Sequence, residues 1–276
     1  MPDSPSPSPT PTPDYGLDAP GAVRNLFIAS GAGLLIWLSI VTHLWSGVLA
    51  LGPLHHRLGP MSLGLALVCG FMGAWMAWDS KFGKVRERER LLDLLTWTGR
   101  ERVLDVGCGR GLLLVGAAKR LTMSVADGGG AAGIDLWQQE DLSGNRPEAT
   151  LENARLEGVA ERIEVHTADM RKMPFPDGSF DTVLSMNAIH NIYSKPGRAA
   201  AIAEICRVLK PGGTALIVDI RHIRQYAATL RAGGCTSVRR ASSDLGTKVL
   251  MVITLGLVRP GNLIARKDSQ PAPARA

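Results

Sequence analysis

The stretch from Arg102 to Gly111, R-V-L-D-V-G-C-G-R-G, limits what this chain can fold into more than any other. Val103, Leu104 and Val106 make a short apolar run, as expected of a strand covered on both faces, with Asp105 near its carboxyl end. Gly107, Gly109 and Gly111 follow at every second residue, and Leu112 to Leu121 reads as an apolar helix. A strand, a glycine turn and a helix make a loop whose backbone can approach a ligand without interference from Cβ atoms. Such a ligand lies at the carboxyl edge of a parallel sheet. The spacing is D-x-G-x-G-x-G; in the dinucleotide pattern G-x-G-x-x-G the third glycine would fall on Leu112.

The residues beyond it repeat strand and helix. Ala131 to Leu136 suits a second strand with Asp135 at its end. An acid there can accept hydrogen bonds from both ribose hydroxyls of a nucleoside. Its distance from the first glycine exceeds the usual spacing of about twenty residues, and the insertion Asp127 to Gly130 accounts for the excess. Trp137 could cover a base or simply pack. Pro147 to Glu157 reads as a helix, Ile163 to Thr167 as a third strand ending in Ala168-Asp169-Met170, and Phe180 to Met186 as a fourth. Asn187-Ala188-Ile189-His190-Asn191 follows directly. His190 could orient a substrate or remove a proton; it could equally cap a helix or pack beneath a cofactor. Ala199 to Leu209 reads as a helix ended by R-V-L-K-P-G-G, with glycine supplying a left-handed turn. Thr214 to Ile220 is a fifth strand, and Asp219, Arg221, His222 and Tyr226 could line a substrate side. Weaker strand signals at Thr236 to Arg240 and Lys248 to Leu257 would close the sheet as an antiparallel pair.

Hydrophobicity is concentrated before this region. Leu26 to Leu51 has His43 as its only ionisable residue, and as a helix at about 1.5 Å per residue it would span about 39 Å. Met61 to Trp78 is uncharged and would span about 27 Å. The short segment Gly52 to Pro60 separates them, so the pair reads as a transmembrane hairpin; a secretory signal would be shorter and followed by no second run. Lys81, Lys84, Arg86, Arg88 and Arg90 follow the second run, whereas the connecting loop has only Arg57. That bias places the following domain in the cytoplasm and returns the N-terminus to the same side. Trp75 and Trp78 suit an interfacial aromatic belt. Ala66, Gly70 and Ala74 recur every four residues, a spacing that lets a neighbouring helix approach closely. The neighbour is expected to be the first span, and the same face could pair two copies of the chain.

Net charge is +6, with the basic residues scattered and no dense Lys/Arg run interleaved with aromatics. That argues against nucleic acid and suits an anionic membrane surface. Cys69, Cys108, Cys206 and Cys235 form no C-x-x-C pair, neither a disulfide framework nor a zinc pattern. No ligand cluster for a metal is apparent. Residues 1 to 13 place proline at 2, 5, 7, 9, 11 and 13, a composition that cannot build a core. The expected organisation is a disordered tail over 1–24, a helical hairpin over 25–79, an α/β domain over 80–258 with a helix at Lys84 to Trp97 leading into it, and a flexible tail over 259–276.

The motifs V-L-D-V-G-C-G-R-G, G-I-D-L, A-D-M, P-F-P-D-G-S-F-D and R-V-L-K-P-G-G resemble those of class I S-adenosylmethionine-dependent methyltransferases, in the type-11-like group that includes quinone and sterol methyltransferases. The resemblance covers Arg102 to about Val258. It implies a Rossmann-like, doubly wound, seven-stranded sheet with one antiparallel strand, here preceded by two transmembrane helices. It implies S-adenosyl-L-methionine as cofactor, contacted by Asp105, Gly107, Cys108, Gly109, Gly111, Asp135, Leu136 and Asn187, with Asp169 and Met170 at the adenine. His190 is the candidate catalytic residue. The expected acceptor is a small, apolar or lipid-like molecule at the bilayer. Two other readings stay open: a methyltransferase acting on a membrane-associated protein, and a noncatalytic nucleoside-binding module. Intact Asp105, Gly107, Gly109, Asp135 and Asp169 weigh against the second.

Overall fold

The structure is a computed structural model that describes residues 11–46, 48–51, 54–241 and 260–269. The chain divides into two compact units. One consists of Tyr15–Arg86 with Gln138–Asn145; the other contains Asp14, Glu87–Trp137 and the described residues from Arg146 onward.

In the first unit, helix α1 (Pro20–Val41) starts with proline in its first turn, where the missing N–H costs nothing. It stops well short of Leu51. Thr42 turns its hydroxyl onto the Leu38 carbonyl, His43 takes a left-handed conformation (φ 60°), and Val48–Leu51 becomes strand β1, paired antiparallel with β2 (Leu54–Arg57). An apolar run does not by itself distinguish helix from strand, which is why the expected helix over Leu26 to Leu51 and the expected loop over Gly52 to Pro60 are both corrected here. Helix α2 (Leu58–Trp78) follows, then a π-helical turn (Asp79–Gly83) and helix α3 (Lys84–Leu92). The helix expected over Lys84 to Trp97 thus ends at Leu92.

Helices α1 and α2 pack through small residues. A side chain on Gly33 would lie 2.8 Å from the Ser62 carbonyl oxygen, and one on Gly70 would lie 2.8 Å from Ser30 Oγ. Ser30 Oγ donates to the Ala66 carbonyl at 2.7 Å. The buried residues of α2 are Ser62, Ala66, Cys69 and Gly73; Ala74 is exposed. A strict four-residue step drifts by about 40° each time, so Ala74 has rotated off the seam while Gly73 stays on it, facing Phe27. The outward face is apolar: Leu35, Leu67 and Phe71 are 68%, 64% and 61% exposed. Phe71, Trp75, Trp78 and Phe82 form a ladder with centroids 5.8–6.2 Å apart. Two helices, Pro20–Val41 and Leu58–Leu92, are long and apolar enough to cross a membrane. Lys84 Nζ donates to the carbonyls of Tyr15 and Gly16 and pairs with Asp18 at 2.8 Å, so these residues are fastened, against the expectation of a disordered tail over 1–24.

The second unit is an α/β sheet. Its strands are β3 (Arg102–Val106), β4 (Gly130–Asp135), β5 (Ile163–Thr167), β6 (Phe180–Met186), β7 (Leu209–Asp219), β8 (Ser237–Ala241) and β9 (Gly261–Arg266), in the order β5-β4-β3-β6-β7-β9-β8. The first five run parallel; β9 is antiparallel to both β7 and β8. This is the seven-stranded sheet with one reversed strand, but the reversed strand lies in the segment expected as a flexible tail over 259–276. Leu263, Ile264 and Ala265 are buried between two strands, where a short apolar run suffices. The expected strand at Lys248 to Leu257 lies outside the described residues.

Helices α4 (Leu112–Ala118), α5 (Pro147–Leu156), α6 (Lys195–Val208) and α7 (Ile223–Ala232) cover the sheet. One core layer holds Val106, Phe180, Ile202, Ile217, Tyr226 and Leu263; the other holds Leu92, Val103, Leu114, Leu184 and Ile264. Burying each such side chain stabilises the fold by about 1.5–3 kcal/mol. Arg88 of α3 is buried and ion-paired to Glu157 at 2.7 Å, which ties α3 to the residue that ends α5. Helix α6 passes directly into β7 through an extended Leu209, so no glycine caps it; Gly212 (φ 79°) lies within the strand.

Candidate active site

Parallel strands deliver their carboxyl ends to one edge, and the candidate residues gather there. The turn after β3 needs glycine for a physical reason. Gly107 has φ 75°, and a Cβ on it would lie 2.2 Å from the Ala188 Cβ and 3.4 Å from the Met170 Cε. Gly109 (φ 52°) and Gly111 (φ 85°) are also left-handed. Bare backbone therefore faces Met170, just beyond β5, and Ala188, just beyond β6. Helix α5 holds the loop from behind: Thr150 Oγ1 donates to the Gly109 carbonyl at 2.6 Å, and Asn153 Nδ2 donates to the Arg110 carbonyl at 2.9 Å. Asn153 also exchanges hydrogen bonds with the Asp14 backbone, and the Asp14 carboxylate pairs with Arg110 at 2.8 Å.

Asp135 closes the loop on its other side. Its Oδ2 accepts the Gly109 N–H at 2.9 Å and its Oδ1 accepts the Trp137 N–H at 2.6 Å. Leu136 beside it is half exposed. Trp137 (φ 60°) donates its indole N–H to Thr167 Oγ1 at 2.8 Å, which joins the ends of β4 and β5. Asp105 and Cys108 are both buried. Burial pushes the Asp105 carboxyl up to about 7, opposed by a hydrogen bond with the Leu114 backbone and aided by the Asp135 charge. Burial, followed by the Asp105 and Asp135 charges, holds the Cys108 thiol well above its ordinary range. Asp105 is thus enclosed under the loop, whereas Asp135 stands at its rim. Asp169 holds Arg171 through both carboxylate oxygens, and that hydrogen bonding keeps its carboxyl below the usual range.

The next two strand ends bring distant residues together. Asn187 is exposed, left-handed (φ 51°), and donates its N–H to the Val218 carbonyl at 2.8 Å. Three residues on, His190 Nδ1 lies 2.6 Å from Asp219 Oδ1, and the His190 N–H donates to Oδ2 at 3.1 Å. Asp219 also accepts the Ile220 N–H at 2.7 Å and the Tyr226 hydroxyl at 3.2 Å. Burial and the Asp219 charge push the Tyr226 hydroxyl pKa far above its usual value, so it stays a donor. The Asp219 side chain is 1% exposed and that of His190 is 18% exposed. Of the four residues expected to line a substrate side, Asp219 and Tyr226 are enclosed, which corrects their part of that expectation, whereas Arg221 and His222 are exposed; within the linked trio it is His190 that reaches outward. The connection spans 29 residues, and no local spacing announces it. Thr150 and Asn153 were likewise missed, although their i, i+3 placement on α5 could have marked a shared face.

Residues 103–213 match the family model described as a methyltransferase domain. Methyltransferase GfsG of Streptomyces halstedii is 33% identical over 176 residues, covering 62% of this chain and 58% of its own length. Phosphatidylethanolamine N-methyltransferase of Cereibacter sphaeroides is 34% identical over 146 residues, 52% of this chain and 64% of its own length. The chain thus spans less than two thirds of these curated relatives. A solved geranyl diphosphate methyltransferase in complex with S-adenosylmethionine shares the fold at 18% identity and a TM-score of 0.50, over 67% of this chain and 85% of that one. Of the three glycines of the turn only Gly107 is partly exposed, between Met170 and Ala188, and its backbone is the part of the turn that a nucleoside could approach. Residues 103–213 accordingly match a methyltransferase domain, in a sheet unit that shares its fold with a solved methyltransferase bound to S-adenosylmethionine.

Proposed function

We propose that the protein is a membrane-anchored S-adenosylmethionine-dependent methyltransferase acting on a small, apolar or lipid-like acceptor. The observation that carries this reading is the adjacency of two devices on one sheet edge. The bare backbone at Gly107 lies against Ala188, and His190 is two residues further along the same turn. Gly107, Gly109 and Gly111 with Asp105 and Cys108 beneath them shape the cofactor surface. Asp135 and Leu136 serve the ribose side, and Asp169 and Met170 the adenine.

When bound, the cofactor supplies a methyl group made electrophilic by its sulfonium sulfur. The chain's own task is alignment and proton handling. Asp219 fixes the His190 ring through Nδ1, which places the proton of the neutral imidazole there and leaves Nε2 as a proton acceptor. Tyr226 and the Ile220 N–H hold Asp219 in turn, so the ring orientation is set by buried groups. Asn187, exposed at the strand end, is placed to border both ligands.

Anchoring is supported by the two membrane-length helices, their exposed apolar faces and the aromatic ladder at the end of α2. The positive charge after Trp78 favours a cytoplasmic methyltransferase domain. A relative named for phosphatidylethanolamine favours an acceptor resident in the bilayer. The test is turnover of methyl-labelled cofactor by the full chain in vesicles carrying a membrane extract. Label entering the organic-solvent fraction is expected. Label confined to protein would transfer the activity to a membrane-associated protein acceptor, and cofactor binding without turnover would leave a nucleoside-binding module.

A further inference from the structure

Helix α7 and the far end of the sheet enclose a groove that the catalytic reading does not use. It has a volume of about 420 Å³ and is lined by Ile223, Arg224, Ala227 and Arg231 of α7, Val238 and Arg240 of β8, and Leu263 of β9. The arrangement follows from two periodicities. Positions 224, 227 and 231 fall on one stripe of a helix, next to the stripe on which Ile223, Tyr226 and Leu230 are buried. Positions 238 and 240 share one face of a strand. The result is a mainly polar groove, with three guanidinium groups around a small apolar floor of Ala227 and Val238.

The charge is one-sided. Residues 220–241 hold five arginines, at 221, 224, 231, 239 and 240, and no aspartate or glutamate. Among the described residues, no carboxylate pairs with Arg224, Arg231 or Arg240, whereas many other arginines of the sheet unit are matched, as Arg207 is with Glu204 and Asp177. Guanidinium groups present planar forks suited to phosphate oxygens, and weak hydration makes them tolerant of an apolar neighbour. We infer that this groove binds the phosphate headgroup of an anionic phospholipid, with the glycerol region resting on the partly exposed Ala227 and Val238. The choice of a lipid over a soluble phosphate rests on the apolar floor and on the proposed membrane anchoring. The register gives the site a consequence. Arg240 pairs with Leu263 and Leu263 with Ile217, two residues before Asp219. A headgroup held there lies on the flank of the edge that carries the His190–Asp219 pair, and so turns that edge toward the lipid surface.

The test uses the full chain in a neutral detergent, with dispersed phosphatidylglycerol, phosphatidylcholine and inorganic phosphate as probes and native mass spectrometry as readout. The wild type should bind phosphatidylglycerol at least tenfold more tightly than phosphatidylcholine. The combined variant Arg224→Gln, Arg231→Gln, Arg240→Gln should lose that preference tenfold or more, with cofactor binding retained as the measure of folding. Ala227→Trp, which fills the floor and keeps every charge, should lose it too; Lys81→Gln with Arg86→Gln should keep it. Undiminished phosphatidylglycerol binding by the triple variant overturns the site. Inorganic phosphate binding as tightly as the lipid overturns the lipid assignment in favour of a soluble anion. The anchoring itself is read separately, by alkaline extraction of cell membranes: release of the chain there, with lipid preference still lost in the triple variant, removes the spans and leaves the groove standing.

Discussion

The two units of this chain solve opposite problems. In the sheet unit apolar side chains turn inward, and buried polar groups are matched: Asp219 accepts four hydrogen bonds and Arg88 is neutralised by Glu157. In the hairpin, small residues turn inward and large apolar ones outward, as Gly33, Ala66 and Gly73 do against Leu35, Leu67 and Phe71. The first pattern is what water demands of a fold, since unpaired polar groups inside are costly and apolar surface outside is wasteful. The second is the pattern that the proposed membrane anchoring calls for, since in hydrocarbon burying leucine gains nothing and close backbone contact is what remains. One sequence carries both rules, and the change between them falls at the π-helical turn Asp79–Gly83 and the charged helix after it.

Perturbing each unit tests that contrast. The largest effect is expected at the buried polar network: His190→Ala should lower kcat by about 100- to 1,000-fold, and Asp219→Asn should lower it nearly as far and shift the pH profile of kcat while cofactor affinity stays within about twofold. An unchanged profile for Asp219→Asn would remove the dyad from the mechanism. Gly107→Val combines a left-handed backbone with a Cβ directed into Ala188, and should weaken S-adenosylmethionine binding by about 100-fold in calorimetry. Tight binding by that variant would mean that the cofactor does not use this surface.

Asp105 sharpens the same contrast through pH. Its carboxyl titrates near 7 in the folded chain and near 3.8 when free of burial. Between those values the folded chain holds a proton that the unfolded chain has released. Stability from this group is therefore fully present below about pH 4 and is lost as pH rises through about 7. Asp105→Asn should flatten that decline and stabilise the sheet unit by about 2 kcal/mol above neutrality, measured by thermal unfolding in detergent across about pH 5 to about 8. A variant as pH-sensitive as the wild type would place the charge elsewhere. Asp135→Ala, which removes the acceptor of the Gly109 and Trp137 N–H groups, should cost about tenfold in cofactor affinity. The smallest effect on the site should come from Gly33→Leu. It forces α1 and α2 apart at Ser62 and Ala66, costing the hairpin about 1–3 kcal/mol, yet should leave cofactor affinity within about twofold. A tenfold loss there would show that the two units are energetically coupled.

Local sequence was enough for several elements. Ile163–Thr167 and Phe180–Met186 are strands at the expected bounds, and the apolar run Val103, Leu104 and Val106 lies in the strand Arg102–Val106, buried as an interior parallel strand should be. The glycine turn at Gly107, Gly109 and Gly111 was legible from its spacing, and all three glycines take the left-handed conformation that only glycine adopts cheaply. The strand Gly261–Arg266 was not legible: a six-residue run after Pro260 resembles a tail until two neighbours enclose it.

By itself, then, the sequence determined the glycine turn, the parallel strands and the presence of two long apolar segments, since each is a property of residues adjacent in the chain. Tertiary structure decided which small residues meet between α1 and α2, because a seam follows the helical drift and selects Gly73 over Ala74. It also decided that Asp105 lies buried under the loop while Asp135 stands at its rim, a difference of depth that two similar strand-end acids do not reveal. And it alone joined His190 to Asp219 and Tyr226, since these stand on separate elements and meet only where the ends of β6 and β7 lie side by side.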